Sequence, residues 1–314
     1  MRVTPRRTSR LTHEARYVDC APDRSRILAA GKSGAFTILN SDLGICHRGK
    51  LPVVAGQVAL HPGADWLAIA STSEIVLSTF DGEIIHRRRH RPWENWEGGD
   101  VAFVRDGSQL LAICPKGAAA KAILLRTDSG ELLAEQAIDV PEASGFFLIP
   151  TPIADRWGIW AGAGQDGQWT FWLGLEGDRI TVDEVTALHG VDHGPVELHA
   201  SVKELLVSAD DALLRYRYPD MELLGRIEPP DDEEFQFTER CAYLGQDRAL
   251  ACDNGSARLY VVDLVSRTVA DEVRIGGHRP PWYFTSLPGA AVLSVHGSPL
   301  GRQTLALLEG PPLW

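Results

Sequence analysis

The sequence predicts an all-β fold made of seven repeated units, each with four short strands. Three observations predict it. Short apolar segments alternate with turns that contain Asp, Gly or Pro, one strand–turn–strand pattern recurs seven times, and the apolar spacing of long helices is nearly missing. The copies begin at Val18, Val58, Val101, Phe146, Val196, Cys241 and Tyr283, which places them 40 to 50 residues apart. This period is typical of repeated four-stranded sheets.

Each copy continues through a third strand and a second turn to a fourth strand. Third strands are predicted at 35–39, 74–80, 121–127, 168–174, 212–218, 257–263 and 303–309. The segments ELLAEQAI from Glu131 and KELL from Lys203 have local helical character, but the period requires strands there. We therefore predict a seven-bladed β-propeller of four-stranded antiparallel blades, which start near residues 16, 57, 100, 145, 195, 239 and 282.

The last blade lacks a fourth strand of its own, because only three strands precede the terminal EGPPLW. The segment without an assignment is the N-terminus. We predict that residues 3–11 pair with the third strand of the last blade, which removes the open sheet edges that favour aggregation. Residues 1–314 would then form a single β-propeller domain.

One segment, VAFVRDGSQLLAI from Val101, is similar to the first two strands of a WD40 repeat, and residues 15–314 resemble a WD40-type seven-bladed propeller. The Trp-Asp pair of that family is replaced by Phe80-Asp81, Thr127-Asp128 or Val262-Asp263, and its Gly-His pair survives as Gly277-His278. Interaction scaffolds are common in the family. The resemblance therefore implies a protein that binds a protein or peptide partner.

Charge and composition restrict the classes of partner. The chain has 314 residues and a net charge of -11, with a pI near 5.4, which argues against nucleic acid as a partner. No apolar run reaches the roughly 18 residues of a spanning helix, and the N-terminus lacks an apolar signal region. We expect a cytoplasmic protein with no membrane partner.

No cofactor or metal is expected from the sequence. The five cysteines are scattered and form no CxxC pair, so they indicate reduced thiols rather than disulfides or a zinc site. His189 and His193 are four residues apart, but they lie in a Gly-containing loop and not on one face of a helix.

Three connections between blades have the composition of a binding surface. They are His86–Trp96, His189–His193 and Gly277–Trp282, and the first and third both contain His-Arg-Pro followed by Trp. Arg provides a bidentate hydrogen-bonding fork and Trp a stacking surface, a combination typical of binding hot spots. The candidate binding residues are Arg16, Tyr17, Gln57, Arg91, Trp93, Trp96, Arg240, Arg279 and Trp282. The acidic run Glu228–Glu234 is expected on the same face, where opposite charges would orient a partner.

Catalysis is the alternative function. A propeller enzyme would act on a small or peptide substrate at the mouth of the channel, by acid–base chemistry of His and carboxylate side chains. The candidate catalytic residues are His90, Asp100, Glu239 and His278. The competing interpretation is that such residues form structural ion pairs between blades. The leading hypothesis remains a WD40-like scaffold protein without chemistry of its own.

Overall fold

A computed structural model confirms the all-β fold. It describes residues 5–31, 33–93, 99–116, 119–140, 143, 145–163, 167–199, 203–209, 211–229, 237–253, 258–273, 281–287, 291–297 and 303–309, without the side chains of 116, 238, 239, 281–283, 287, 291 and 293. These residues contain seven four-stranded antiparallel sheets. Helical structure within them is confined to 3-10 turns such as Arg105–Gly107 and Thr186–Leu188. The topology is that of a seven-bladed β-propeller.

The chain divides into two compact units, and the unit Ala15–Gly190 contains blades 1 to 4. The strands of blade 1 are β2 (Tyr17–Cys20), β3 (Arg26–Ala30), β4 (Ala35–Asn40) and β5 (Ile45–Lys50). Those of blade 2 are β6 (Gln57–Leu60), β7 (Trp66–Ala70), β8 (Glu74–Thr79) and β9 (Ile84–Arg89). Those of blade 3 are β10 (Val101–Val104), β11 (Gln109–Lys116), β12 (Ala119–Arg126) and β13 (Leu132–Ile138). Those of blade 4 are β14 (Gly145–Pro150), β15 (Arg156–Gly162), β16 (Gln168–Glu176) and β17 (Arg179–Glu184).

The second unit, Met1–Glu14 with Val191–Trp314, contains blades 5 to 7. The strands of blade 5 are β18 (Glu197–Leu198), β19 (Glu204–Ala209), β20 (Ala212–Arg217) and β21 (Leu223–Ile227). Those of blade 6 are β22 (Phe237–Tyr243), β23 (Arg248–Asp253), β24 (Leu259–Asp263) and β25 (Thr268–Glu272). Blade 7 consists of β26 (Pro281–Leu287), β27 (Ala291–Gly297), β28 (Gln303–Glu309) and β1 (Arg7–Leu11). The prediction of one domain over residues 1–314 is not tested by this division and stays a prediction.

The repeat period located the strands closely. Every observed first strand begins within two residues of its predicted blade start. The two segments with local helical character are the strands β13 and β19, because pairing in the sheet outweighs a weak helical preference. The described residues contain no helix with the length and apolar character that a lipid bilayer requires.

Two predicted connections overlap strands. Pro281 and Trp282, predicted at the end of the connection Gly277–Trp282, lie in β26. Residues His86–Arg89 were expected in the connection between blades 2 and 3, but they belong to β9, the fourth strand of blade 2. Glu74 pairs with Arg89, and Leu77 pairs with His86. An edge strand buries little of either face, so it tolerates charged side chains at successive positions and loses the apolar alternation that marks other strands.

The pairing of β1 with the third strand of the last blade is confirmed. The register runs from Arg7 opposite Leu307 to Leu11 opposite Gln303, and β1 lies at the edge of its sheet. Leu11 is 1% exposed, so this strand also contributes to the core. An ion pair joins Arg6 to Glu309 beside the same edge.

Apolar side chains pack between neighbouring sheets in each unit. Leu28 and Phe36 of blade 1 pack with Val58 and Leu67 of blade 2, and Leu111 of blade 3 shares a cluster with residues of blade 4. Blades 5, 6 and 7 are joined by two further clusters. Burial of these faces against one another is the main favourable contribution to folding.

Arginine side chains add directional contacts between blades. Arg26 of blade 1 donates to the carbonyl oxygens of His61 and Ala64 in blade 2, at 2.8 and 2.9 Å. Arg105 of blade 3 repeats the arrangement, since it donates to the carbonyl oxygen of Gly177 and the carboxylate of Asp155 in blade 4. Each guanidinium therefore satisfies turn groups of the next sheet.

Removal of residues 1–12 should lower the melting temperature by roughly 5–10 °C, because blade 7 loses a buried leucine and a paired strand. Circular dichroism during heating measures the change. Leu11→Ala should produce a smaller fall, since it keeps the strand pairing. An unchanged melting temperature after the deletion would contradict a stabilising role for β1.

Candidate functional site

Several predicted site residues lie at the starts of first strands. Tyr17 begins β2, and its hydroxyl donates to the carbonyl oxygen of Ala55 at 3.3 Å. Gln57 begins β6 and is partly buried. Arg16 is exposed just before β2, whereas Arg240 lies within β22 and is partly buried. The Tyr17 hydroxyl is therefore engaged by the connection between blades 1 and 2.

Asp100, a catalytic candidate, connects two blades. It immediately precedes β10 in blade 3, and its Oδ1 accepts a hydrogen bond from the N–H of Val101 at 2.7 Å. Its Oδ2 accepts one from the N–H of Leu148, also at 2.7 Å, in the edge strand β14 of blade 4. The carboxylate thus satisfies a backbone donor at a sheet edge, and both of its oxygens are engaged.

Asp19 makes the same type of contact between blades 1 and 2. Its Oδ1 accepts from the N–H of Cys20 at 2.8 Å, and its Oδ2 accepts from the N–H of Leu60 at 2.7 Å. Asp19 was not predicted from the sequence. The available signal was a carboxylate inside a short first strand that is otherwise mostly apolar, a position where an unpartnered charge is costly.

These two carboxylates have strongly perturbed acidities. Burial raises the pKa of Asp19 to about 6, although hydrogen bonds from the Leu60 and Cys20 amides oppose the rise. Burial likewise raises the pKa of Asp100 to about 7 against the Leu148 and Val101 amides, and the charge of Asp19 adds to that rise. Loss of water around the charged form outweighs two amide hydrogen bonds in each case.

A third carboxylate of this kind, Glu197, lies in the other unit. It is in β18, and burial raises its pKa to about 7. The hydroxyl of Ser286 favours the charged form, although it lies outside hydrogen-bond geometry. Burial and the neighbouring Glu197 charge hold the pKa of the Cys241 thiol well above its ordinary value, so this thiol is a poor nucleophile. Glu197 was not predicted from the sequence.

The connection that follows β9 is anchored at two backbone positions. The N–H of His90 donates to the carbonyl oxygen of Ser73 at 2.9 Å, and that of Trp93 donates to Thr72 at 2.8 Å. The His90 Nδ1 donates to the carbonyl oxygen of Arg91, and burial lowers the pKa of His90. The Arg91 side chain is exposed between the anchors.

Trp93 is partly buried, and it packs on apolar residues of blades 3 and 4. Its ring lies 5.5 Å from that of Phe146, measured between centroids. At least part of this indole therefore stabilises the fold, and the surface it can offer a partner is smaller than the sequence motif suggests.

Several of the remaining predicted residues lie outside the part of the chain that the structure describes. Trp96, His278 and Arg279 lie outside the described residues, as do the side chains of Glu239 and Trp282. His189 is exposed and contacts Glu184, whereas His193 is 1% exposed. Among the described residues, no group of three or more His, Cys, Asp or Glu side chains is arranged to hold a metal ion.

Comparison with known proteins supports the fold class. No family model matches the chain, and no curated protein matches it in sequence. Solved structures match in fold, and one of them is the hydrazine synthase of Kuenenia stuttgartiensis, with a TM-score of 0.66 and 10% sequence identity. The match covers 89% of this chain and 92% of that one. At this identity it shows the fold alone, which is a seven-bladed β-propeller.

The raised carboxylate pKa values predict that stability falls as the pH rises. Because the folded-state pKa values lie above the ordinary Asp and Glu values, the folded protein holds more protons than the unfolded chain between about pH 4 and 7. The contribution of these carboxyl groups to the free energy of unfolding is complete below about pH 4 and is lost as the pH rises through 6 to 7. Each group contributes at most about 1.4 kcal/mol per pH unit.

Urea unfolding at pH 5, 6, 7 and 8 measures this slope. Asp100→Asn should reduce it, since Asn cannot titrate. Asp23→Asn is the matched control, because hydrogen bonds from Ser25 lower the pKa of exposed Asp23 and keep it ionised throughout this range. An equal slope in wild type and Asp100→Asn would contradict the assignment.

Proposed function

We propose that the protein is a WD40-like, cytoplasmic binding protein, which presents the connections between its blades to a protein or peptide partner. The observation that carries the proposal is the connection His90–Trp93. Two backbone hydrogen bonds fix its path against blade 2, and Arg91 is exposed between them. Because the backbone of this connection is already fixed, less conformational entropy is lost when a partner binds.

The chemistry of Asp100 supports binding over catalysis. Both carboxylate oxygens accept backbone amides, one of them from the neighbouring blade. A general base must reach the proton that it abstracts, and these contacts direct the carboxylate toward the protein. The same holds for Asp19. These carboxylates therefore act as structural links between blades, as the alternative to catalysis predicts. Their partners are backbone amides instead of the cationic side chains of an ion pair.

Acid–base catalysis is the second candidate function, and one observation favours it. The pKa of Asp100 is raised to about 7, within the range that suits a general acid or base at neutral pH. The matching solved structure is named for a synthase, but 10% identity carries no activity over to this chain. Catalysis would require substrate to displace at least one amide contact of Asp100.

Affinity capture from the native organism, followed by mass spectrometry, tests the proposal. Arg91→Glu should reduce recovery of a bound protein about tenfold, because the substitution reverses the charge of the exposed side chain in this connection. Arg179→Glu, the same change at an exposed position in β17, should leave recovery unchanged. Undiminished recovery with Arg91→Glu would contradict the proposed surface.

Asp100→Asn separates the two functions in the same samples. It should leave capture of the protein partner intact, since Asp100 lies outside residues 90–93 and its carboxylate contacts the backbone of blade 4. Capture of a small molecule that wild type converts and Asp100→Asn does not would instead establish the enzyme.

A further inference from the structure

We infer that the outer edge of β9 binds an acidic, extended peptide segment, which adds to blade 2 as a fifth strand. The inference rests on the proposed function, because it specifies the chemistry of the partner and extends its surface from the His90–Trp93 connection into the strand before it. We call the row Arg87, Arg88 and Arg89 the basic edge.

Charge is segregated among the fourth strands of blades 1 to 4. Strands β5 and β9 together carry five Lys or Arg residues and no Asp or Glu. Strands β13 and β17 carry three acidic residues and one Arg. In a chain with a net charge of -11, this concentration of positive charge gives blades 1 and 2 a surface that attracts anions locally.

The basic edge is poorly neutralised. In the part of the chain that the structure describes, Glu74 is the one carboxylate that forms an ion pair with this row, through Arg87 at 3.1 Å. The Glu74 side chain is 15% exposed, so it is tied into the sheet rather than presented at its edge. Arg87 and Arg89 are exposed, whereas Arg88 is partly buried. Arg87 and Arg89 therefore present their guanidinium groups to external carboxylates, which they can bind in bidentate geometry.

The backbone of β9 offers a matching row of hydrogen-bonding groups. The N–H of His90 bonds to Ser73 in the direction of β8, and backbone pairing alternates along an antiparallel ladder. The backbone groups of Arg88 and His86 consequently face β8, whereas those of Arg87 and Arg89 face away from the sheet. Strand β9 is last in the order β6-β7-β8-β9, and in the described residues no other strand pairs with that edge.

Arginine at a sheet edge ordinarily repels other edges, and this repulsion makes the edge selective. A neutral or basic strand that pairs with β9 would leave its arginines without partners, whereas an acidic strand places carboxylates opposite them. Arg87 and Arg89 share one face, and Arg88 lies on the other. The partner segment should therefore carry acidic residues at alternate positions, with β-branched residues between them.

Fluorescence anisotropy with a labelled seven-residue peptide that alternates Glu with Val tests the inference on the intact protein. Wild type should bind this peptide more tightly, by at least about tenfold, than the same peptide N-methylated at alternate residues, because methylation removes backbone donors and leaves the charge unchanged. Equal affinity for the two peptides would overturn strand addition. Equal or tighter binding of a single-stranded oligonucleotide with the same charge would overturn the acidic peptide as the partner.

Variants locate the site. Arg87→Gln combined with Arg89→Gln should weaken peptide binding at least about tenfold, whereas Arg179→Gln in β17 should not. Arg89→Pro should weaken binding more than Arg89→Gln, since both remove the charge but only proline removes the outward N–H. Equal effects of Pro and Gln, in variants with matching melting temperatures, would contradict backbone pairing at Arg89.

Failure of strand addition at β9 can be distinguished from failure of the proposed binding function. If Arg91→Glu abolishes capture of the native partner while the β9 variants and the acidic peptide have no effect, the binding function stands and the strand-addition inference is wrong. If Arg91→Glu has no effect but the peptide binds with the expected dependence on β9, the inference about the basic edge stands and the connection is not the main surface.

Discussion

The structure depends on how the edges of its sheets are satisfied. A four-stranded sheet has two edge strands, and each presents backbone N–H and C=O groups that no neighbouring strand of that sheet can pair. Here different edges meet this constraint in different ways. Asp19 and Asp100 cap edge amides of the next blade, and β1 covers the edge of β28. The β9 edge instead carries arginines.

The carboxylate contacts show how a perturbed pKa can arise from architecture. Asp19 lies in β2 and Asp100 immediately precedes β10, and each carboxylate reaches the first strand of the next blade, where loss of water makes its charged form costly. The amides that they accept recover part of this cost. A raised pKa in a propeller therefore does not by itself identify a catalytic acid, because loss of water around a structural carboxylate at an inter-blade contact raises the pKa in the same way.

Much of the fold was accessible from the sequence because the determining signals are local. Period, turn residues and apolar alternation report the packing of one strand against its neighbours, and they located the first strands and β1 closely. His86–Arg89 was misplaced because no residue of β9 is fully buried, and a strand of this kind carries no apolar alternation. For such a strand, charge at consecutive positions is compatible with either a loop or an edge.

The candidate site was less predictable because it depends on contacts between blades. The role of Asp19 requires knowledge that its Oδ2 reaches Leu60, about forty residues away in sequence, and no spacing rule encodes that geometry. Trp93 shows the same limit. The His-Arg-Pro-Trp pattern is typical of a binding surface, yet the ring of Trp93 rests on Phe146, which the pattern cannot reveal. Sequence identifies residue types suited to binding, whereas packing decides which atoms remain accessible.

The pairing of β1 with β28 also has a consequence for biosynthesis. Arg7 lies opposite Leu307, so β1 is synthesised about 300 residues ahead of the strand with which it pairs. β1 must therefore remain available for pairing while the strands of six other sheets are synthesised ahead of its partner β28. β1 contains two arginines, and charge of this kind disfavours the association of an unpaired strand with other strands.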